Sequence, residues 1–194
     1  MNRRLFSLFA VAAVLAACGA EKPAFKSIDI TGAEYARRLE LPDTSGKPRT
    51  LADFKGKVVI VFFGYTQCPD VCPATMAEIA EMRQKLGAEG AQVQPVFVTV
   101  DPERDTDQVA SAYATTFGGD VVALRGSVEQ TRAAAKEFKV FFAKAPGRTA
   151  DSYTIDHTAG AFVFDRQGKV RLFARYGSGA DALAHDVKLL LGGA

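Results

Sequence analysis

Six consecutive apolar residues, Val58-Val59-Ile60-Val61-Phe62-Phe63, run directly into Gly64-Tyr65-Thr66-Gln67-Cys68-Pro69-Asp70-Val71-Cys72-Pro73. A short unbroken apolar run bounded by turn residues reads as a strand buried on both faces, and such strands belong to sheets covered by helices. Pro73 suits the first position of a helix, because its missing N–H has no partner there in any case. The predicted order is therefore strand, thiol-bearing loop, helix. That order puts two sulfurs at the carboxyl end of a sheet, where open α/β folds place their chemistry.

The rest of the chain extends the pattern. A helix is predicted over Pro73 to Leu86 with Gly87 as its stop, and a second buried strand over Val93 to Val100, followed by the turn Asp101-Pro102-Glu103-Arg104-Asp105. Next come a helix from Thr106 to Phe117, a strand from Val121 to Leu124, a helix from Val128 to Phe138 and a short extended piece from Val140 to Ala143. Lys144 to Thr154, with Pro146-Gly147, reads as an excursion without packing of its own. Ala161 to Phe164 and Val170 to Ala174 form a hairpin, and a helix from Ala180 to Leu191 closes the chain. Ahead of this core, Leu39 to Leu41 and Lys47 to Leu51 flank a Pro42-Asp43-Thr44-Ser45-Gly46 turn as a small N-terminal hairpin, and Ala24 to Glu34 offers a strand for the edge. Strand-helix units first and an antiparallel hairpin with a terminal helix last describe an α/β, thioredoxin-like mixed sheet flanked by helices.

The amino terminus has a different character. Arg3 and Arg4 precede an apolar stretch from Leu5 to Leu15, eleven residues that fall short of the ~20 needed to span a bilayer. Leu15-Ala16-Ala17-Cys18 resembles the lipobox of bacterial lipoproteins, which implies cleavage before Cys18, lipidation of that cysteine and attachment to the cell envelope on the extracytoplasmic side. An ordinary secretory signal cut after Ala17 is the competing reading. The expected division is a signal peptide over 1–17, a tether over 18–26 and one domain over 27–194, since 194 residues with 48% hydrophobic content can bury a single core unaided. Lipidation of Cys18 also leaves Cys68 and Cys72 as a matched pair out of three cysteines. Removing residues 1–17 takes Arg3 and Arg4 from the 24 basic residues, leaving 22 against 22 acidic ones. A neutral mature chain lacks the basic stripe that a nucleic-acid partner requires.

Thiols four residues apart at a helix entrance share a face, and the free N–H groups and positive dipole there favour thiolate over thiol. Such a pair serves disulfide exchange or binds a soft metal, and a pair of buried inert cysteines or a permanent structural disulfide is the third possibility. Three intervening residues, against two in thioredoxin-type motifs, relax the redox geometry. Of two histidines, His185 sits within the terminal helix as a surface residue. His157, in Tyr153-Thr154-Ile155-Asp156-His157-Thr158, lies in a loop at the entrance of the Ala161 strand. That strand runs antiparallel to Val58 to Phe63 in a thioredoxin-like sheet, so His157 should face the thiols. Asp156 could orient it or remain a solvated turn residue, and Asp70 could tune the site or stabilise the helix start. Asp101 and Asp105 fall on the thiol side, where Asp105 could cap the following helix.

Three segments in order, Cys68-Pro69-Asp70-Val71-Cys72-Pro73, Asp101-Pro102-Glu103-Arg104-Asp105-Thr106 and Tyr153-Thr154-Ile155-Asp156-His157, give residues 39–190 a resemblance to the Sco/SenC family, copper proteins that assist assembly of cytochrome c oxidase. The resemblance implies copper ligands Cys68, Cys72 and His157, and a client in the binuclear copper centre of the oxidase or another cuproprotein. It also supports partner contact or metal tuning by Asp101 and Asp105. Further implied partners are other copper chaperones and thiol reductants. Thr158, where serine is common, and a lipid signal in place of a membrane-spanning anchor depart from the family without touching the ligands. Thiolate sulfur suits Cu(I) and imidazole suits copper in either state, whereas structural zinc generally takes four protein ligands. The leading expectation is a non-catalytic copper chaperone. The alternative is an enzyme, a tethered thiol-disulfide oxidoreductase that keeps exported cysteines reduced, with peroxide scavenging or copper-linked redox sensing behind it.

Overall fold

The computed structural model describes residues 24–147, 149 and 152–194. The expected signal segment, Cys18 and most of the expected tether lie outside these residues. The first described residues are already tied down: the backbone N–H groups of Lys26 and Ser27 donate to the buried carboxylate of Asp186 at 2.8 and 2.7 Å.

Chain order is β1 (Ile28–Asp29), β2 (Glu40–Pro42), β3 (Pro48–Thr50), β4 (Val58–Gly64), α1 (Val71–Lys85), β5 (Val93–Thr99), α2 (Asp107–Thr115), β6 (Val122–Leu124), α3 (Val128–Glu137), β7 (Phe142–Pro146), β8 (Tyr153–His157), β9 (Gly160–Phe164), β10 (Val170–Arg175) and α4 (Ala180–Leu191). Among the described residues, six strands form one mixed sheet in the order β1-β10-β9-β4-β5-β6. β4 is central, parallel to β5 and antiparallel to β9, and all seven of its residues are buried. Its unbroken apolar run follows from that place, because neither face meets water. β9 starts at the end of the sheet where β4 finishes, with Ala161 opposite Phe62.

Outside residues 140–157, element types and order match the sequence expectation, and α4 spans the residues expected of it. The strand expected at the domain edge exists as β1, paired antiparallel with β10. One segment needs correction. Lys144 to Thr154 is not an unpacked excursion: β7 and β8 pair antiparallel from Phe142 opposite His157 to Pro146 opposite Tyr153, so Pro146-Gly147 opens the turn of a hairpin. That hairpin forms its own two-stranded sheet. It rests on the domain through side chains, with Ile155 buried. His157 accordingly ends a strand and does not sit in a loop.

Candidate metal centre

The thiol-bearing loop leaves β4 at Gly64 and is held by a buried carboxylate from the turn between β5 and α2. Asp105, 0% exposed, accepts from the Thr66 N–H at 3.0 Å, the Thr66 hydroxyl at 2.6 Å and the Thr99 hydroxyl at 2.5 Å. Both carboxylate oxygens are engaged inward. The expected capping of α2 by Asp105 is therefore corrected: Thr106 occupies the cap, its hydroxyl accepting from the Val109 N–H at 3.3 Å. Asp101 is also buried, and binds the Arg104 side chain and the Tyr153 hydroxyl, the latter at 2.9 Å.

Helix α1 begins two residues earlier than Pro73, at Val71, which puts Pro73 in the third helical position. A proline is tolerated there because first-turn N–H groups have no intrahelical acceptor. Asp70 holds the cap position but its side chain makes no bond to the helix, so the expected side-chain stabilisation by Asp70 is absent. A sulfur takes that place: the Cys72 N–H donates to Cys68 Sγ at 3.4 Å. Cys72 packs directly under Gly64, where a Cβ would stand 3.0 Å from its Sγ.

His157 arrives from β8. Its Nε2 lies 3.2 Å from Cys72 Sγ and its Nδ1 lies 3.0 Å from the Thr158 carbonyl oxygen. A carbonyl only accepts, so Nδ1 carries the hydrogen and the Nε2 lone pair faces the sulfur. Tyr65 and Phe62 stand edge-on to the imidazole, both with ring centroids 6.0 Å away. Thr158 thus supplies the orienting bond considered for Asp156, which is exposed and acts on the ring only through its charge. His185, on α4, pairs with Asp186 at 3.0 Å.

Cys68 Sγ, Cys72 Sγ and a His157 nitrogen lie within 4.8 Å of one another, and both cysteines are free thiols. An ion ~2.3 Å from each sulfur and ~2.0 Å from nitrogen joins donors no more than ~4.6 Å apart, so a contraction of tenths of an ångström would let one ion touch all three. Among the described residues no fourth His, Cys, Asp or Glu joins the cluster. Two soft sulfurs and one imidazole fit copper, and fit a four-coordinate structural zinc less well.

Electrostatics correct a further expectation. Burial pushes the Cys72 thiol well above its ordinary range, outweighing the local N–H groups, so the helix entrance does not make it a thiolate in the metal-free protein. Burial likewise holds the His157 imidazole below its usual value, hence neutral at pH 7. Without metal, the Cys72 S–H donates to Nε2. A bound cation reverses this balance, because its charge stabilises the thiolate and displaces the proton.

The residues that local sequence did not single out are those that fix the site from a distance: Thr66 and Thr99 on Asp105, the Thr158 carbonyl on the imidazole, and Arg104. Of these, Arg104 had a visible signal, an arginine three positions after Asp101.

A family model described as SCO1/SenC matches residues 29–192. The chain is 37% identical over 140 residues to the mitochondrial SCO2 homolog of Mus musculus, covering 71% of this chain and 54% of that one. It thus spans about half the length of the first curated mitochondrial relatives it matches, 54% and 53%. Among solved structures, Bradyrhizobium japonicum ScoI with copper bound is 34% identical with a TM-score of 0.71, covering 79% of this chain and 98% of that one. Apo Sco1 of Thermus thermophilus is 36% identical with a TM-score of 0.76, covering 86% and 97%. The mixed α/β sheet with flanking helices is the thioredoxin-like architecture of these structures.

Proposed function

This chain belongs to the SCO1/SenC family, and from that premise we propose that it is a copper chaperone that loads the binuclear copper centre of cytochrome c oxidase. Its cargo is copper, held by Cys68, Cys72 and His157. The observation that carries this reading is the 3.2 Å approach of His157 Nε2 to Cys72 Sγ with Nδ1 committed to a backbone carbonyl. A metal ligand requires the Nε2 lone pair, which this tautomer presents to the sulfurs; in disulfide exchange the same imidazole would act only as a base toward the buried Cys72 thiol.

The three donors divide by access. Cys68 is partly exposed and Cys72 buried, so a client's ligands would displace Cys68 first while Cys72 and His157 retain the ion. As the ion leaves, the Cys72 sulfur regains its proton and its bond to Nε2. Transfer by ligand exchange needs a docked partner, and Phe141 and Tyr176, 64% and 42% exposed, flank the residues that follow His157. Their backbones bond to Thr158 and Ala159. We assign this apolar rim to the copper-bearing domain of the client.

Thiol-disulfide exchange is the second reading, favoured by two unpaired sulfurs near each other. Against it, the raised pKa of Cys72 makes that thiol a poor nucleophile, leaving Cys68 as the attacking group. Attachment through lipidated Cys18 on the extracytoplasmic side of the envelope completes the proposal. No described helix is long and apolar enough to cross a membrane.

The deciding experiment is copper titration of the reduced protein beside His157→Ala. Loss of an outer-shell partner alone costs ~10–100-fold in metal affinity, so loss of the ligand should cost at least ~100-fold. Equal affinity of the two proteins would end the metal role assigned to His157.

A further inference from the structure

The hairpin that carries His157 is a two-stranded sheet separate from the six-stranded one, so the third donor rides on an arm. Beneath part of that arm lies a cleft of about 360 Å³, lined in part by Val100, Thr131, Phe142 and Ile155, so its underside is incompletely packed. Two side chains fix the arm near the centre: Tyr65, hydrogen-bonded to the Ile155 backbone in mid-strand, and Arg104, from the turn after β5, which holds the Tyr153 end. The Arg104 Nε binds the Asp101 carboxylate and its Nη1 donates to the Tyr153 carbonyl at 2.8 Å. Its guanidinium stacks on the Tyr153 ring with Cζ 3.5 Å from the centroid, and lies 5.8 Å from the Tyr65 ring that borders His157. The Tyr153 hydroxyl closes the circuit on the other oxygen of Asp101. Lys144 of β7 adds an exposed bond to Glu103.

We infer that Arg104 is the positioning residue of the centre, a latch that holds the β7–β8 arm against the Asp101 turn and so keeps His157 over the buried sulfur of Cys72. Tyr153 and His157 are the two ends of the same five-residue strand. Fixing one end at Asp101 and packing Ile155 between leaves the imidazole little freedom. The Arg104 side chain remains 21% exposed, which places the latch within reach of a docked protein. Once the client has displaced the accessible Cys68, opening the latch would lift His157 from the ion and leave Cys72 as the last donor, a route to release that needs no unfolding of α1.

The purpose of the latch rests on the copper reading, but its test does not. The reduced, metal-free full-length protein is treated with iodoacetamide and the alkylation rates of Cys68 and Cys72 are followed separately by mass spectrometry. In Arg104→Lys the charge beside Asp101 survives, while the fork that reaches both the carboxylate and the Tyr153 carbonyl is lost. Arm opening should then raise the Cys72 rate about tenfold or more, with Cys68 and the melting temperature near those of the parent. Tyr153→Phe, which keeps the stacked ring and loses the bond to Asp101, should raise it in the same direction. Cys72 rates within twofold of the parent in both variants would overturn the latch. A parent that reacts as expected but takes up no copper would count against the metal reading alone.

Discussion

Cys72 Sγ and His157 Nε2, 85 positions apart in the chain, approach to 3.2 Å, and each group is kept neutral by the same burial that brings them together. In the metal-free protein this is an S–H···N bond between an undissociated thiol and an unprotonated imidazole. Charging either partner breaks it.

Stability of the metal-free protein should consequently fall off on both sides of neutrality. The Cys72 thiol is raised in the folded state, so its contribution is complete below the unfolded value near 9.0 and is lost as pH rises above it. The His157 imidazole is lowered, so its contribution is complete above the unfolded value near 6.5 and is lost as pH falls below it. Urea denaturation of the parent and of Cys72→Ala at about pH 7.5 and 9.5 isolates the thiol before most lysines and tyrosines titrate. The variant should show the smaller alkaline loss. Identical losses would mean that burial does not hold the proton on Cys72.

Gly64 carries a second expectation. A Cβ at that position would stand 2.7 Å from Phe62 Cε1 and 3.0 Å from Cys72 Sγ, and Phe62 is fully buried in the central strand. Gly64→Ala should cost about 1–3 kcal/mol of stability through overpacking and should weaken copper binding by displacing a donor. Thermal unfolding and copper titration on one preparation check both. A variant as stable as the parent would show that the sulfur can yield without strain.

Much of this arrangement was legible in the residues. The unbroken run of β4 declared its own central position, and strand order alone put His157 at the thiol end. Burial above the site was not legible, because the sequence places Cys72 at the entrance of a helix but says nothing of the Gly64 backbone that packs against it. Local helix-end electrostatics therefore pointed to a thiolate where packing leaves a thiol. The arm was missed for a related reason. Among the residues of β7, partly buried and exposed positions do not alternate, and its partner in register is fixed by a turn at Pro146-Gly147 that also reads as a break. Asp105 looked like a helix cap because its position in sequence allows it. Only the fold brings Thr66, 39 residues away, to its carboxylate.

Asp105 should prove one of the costly positions in the domain. Asp105→Ala strands the Thr66 N–H and two hydroxyls without their acceptor, and each buried orphan costs about 1–3 kcal/mol. A loss of about 3 kcal/mol or more in chemical denaturation is expected, together with a looser Cys68 loop and weaker copper retention. Asp105→Asn keeps one acceptor oxygen and should recover part of the loss. A stable alanine variant with unchanged copper affinity would remove Asp105 from the support of the site.

The amino-terminal proposal is testable apart from the metal. If Cys18 is lipidated, the mature protein begins at that residue, carries the mass of its acyl chains and sediments with membranes. Stable attachment takes two or more lipid signals, since a single acyl chain binds only marginally. Cys18→Ser removes the acceptor sulfur and should move the protein to the soluble extracytoplasmic fraction, with the domain and its copper affinity intact because Lys26 and Ser27 still anchor the start of the fold to Asp186. Continued sedimentation of the serine variant with membranes, or a parent whose intact mass shows an unmodified Cys18, would leave the tether without a basis and return the segment to an ordinary export signal.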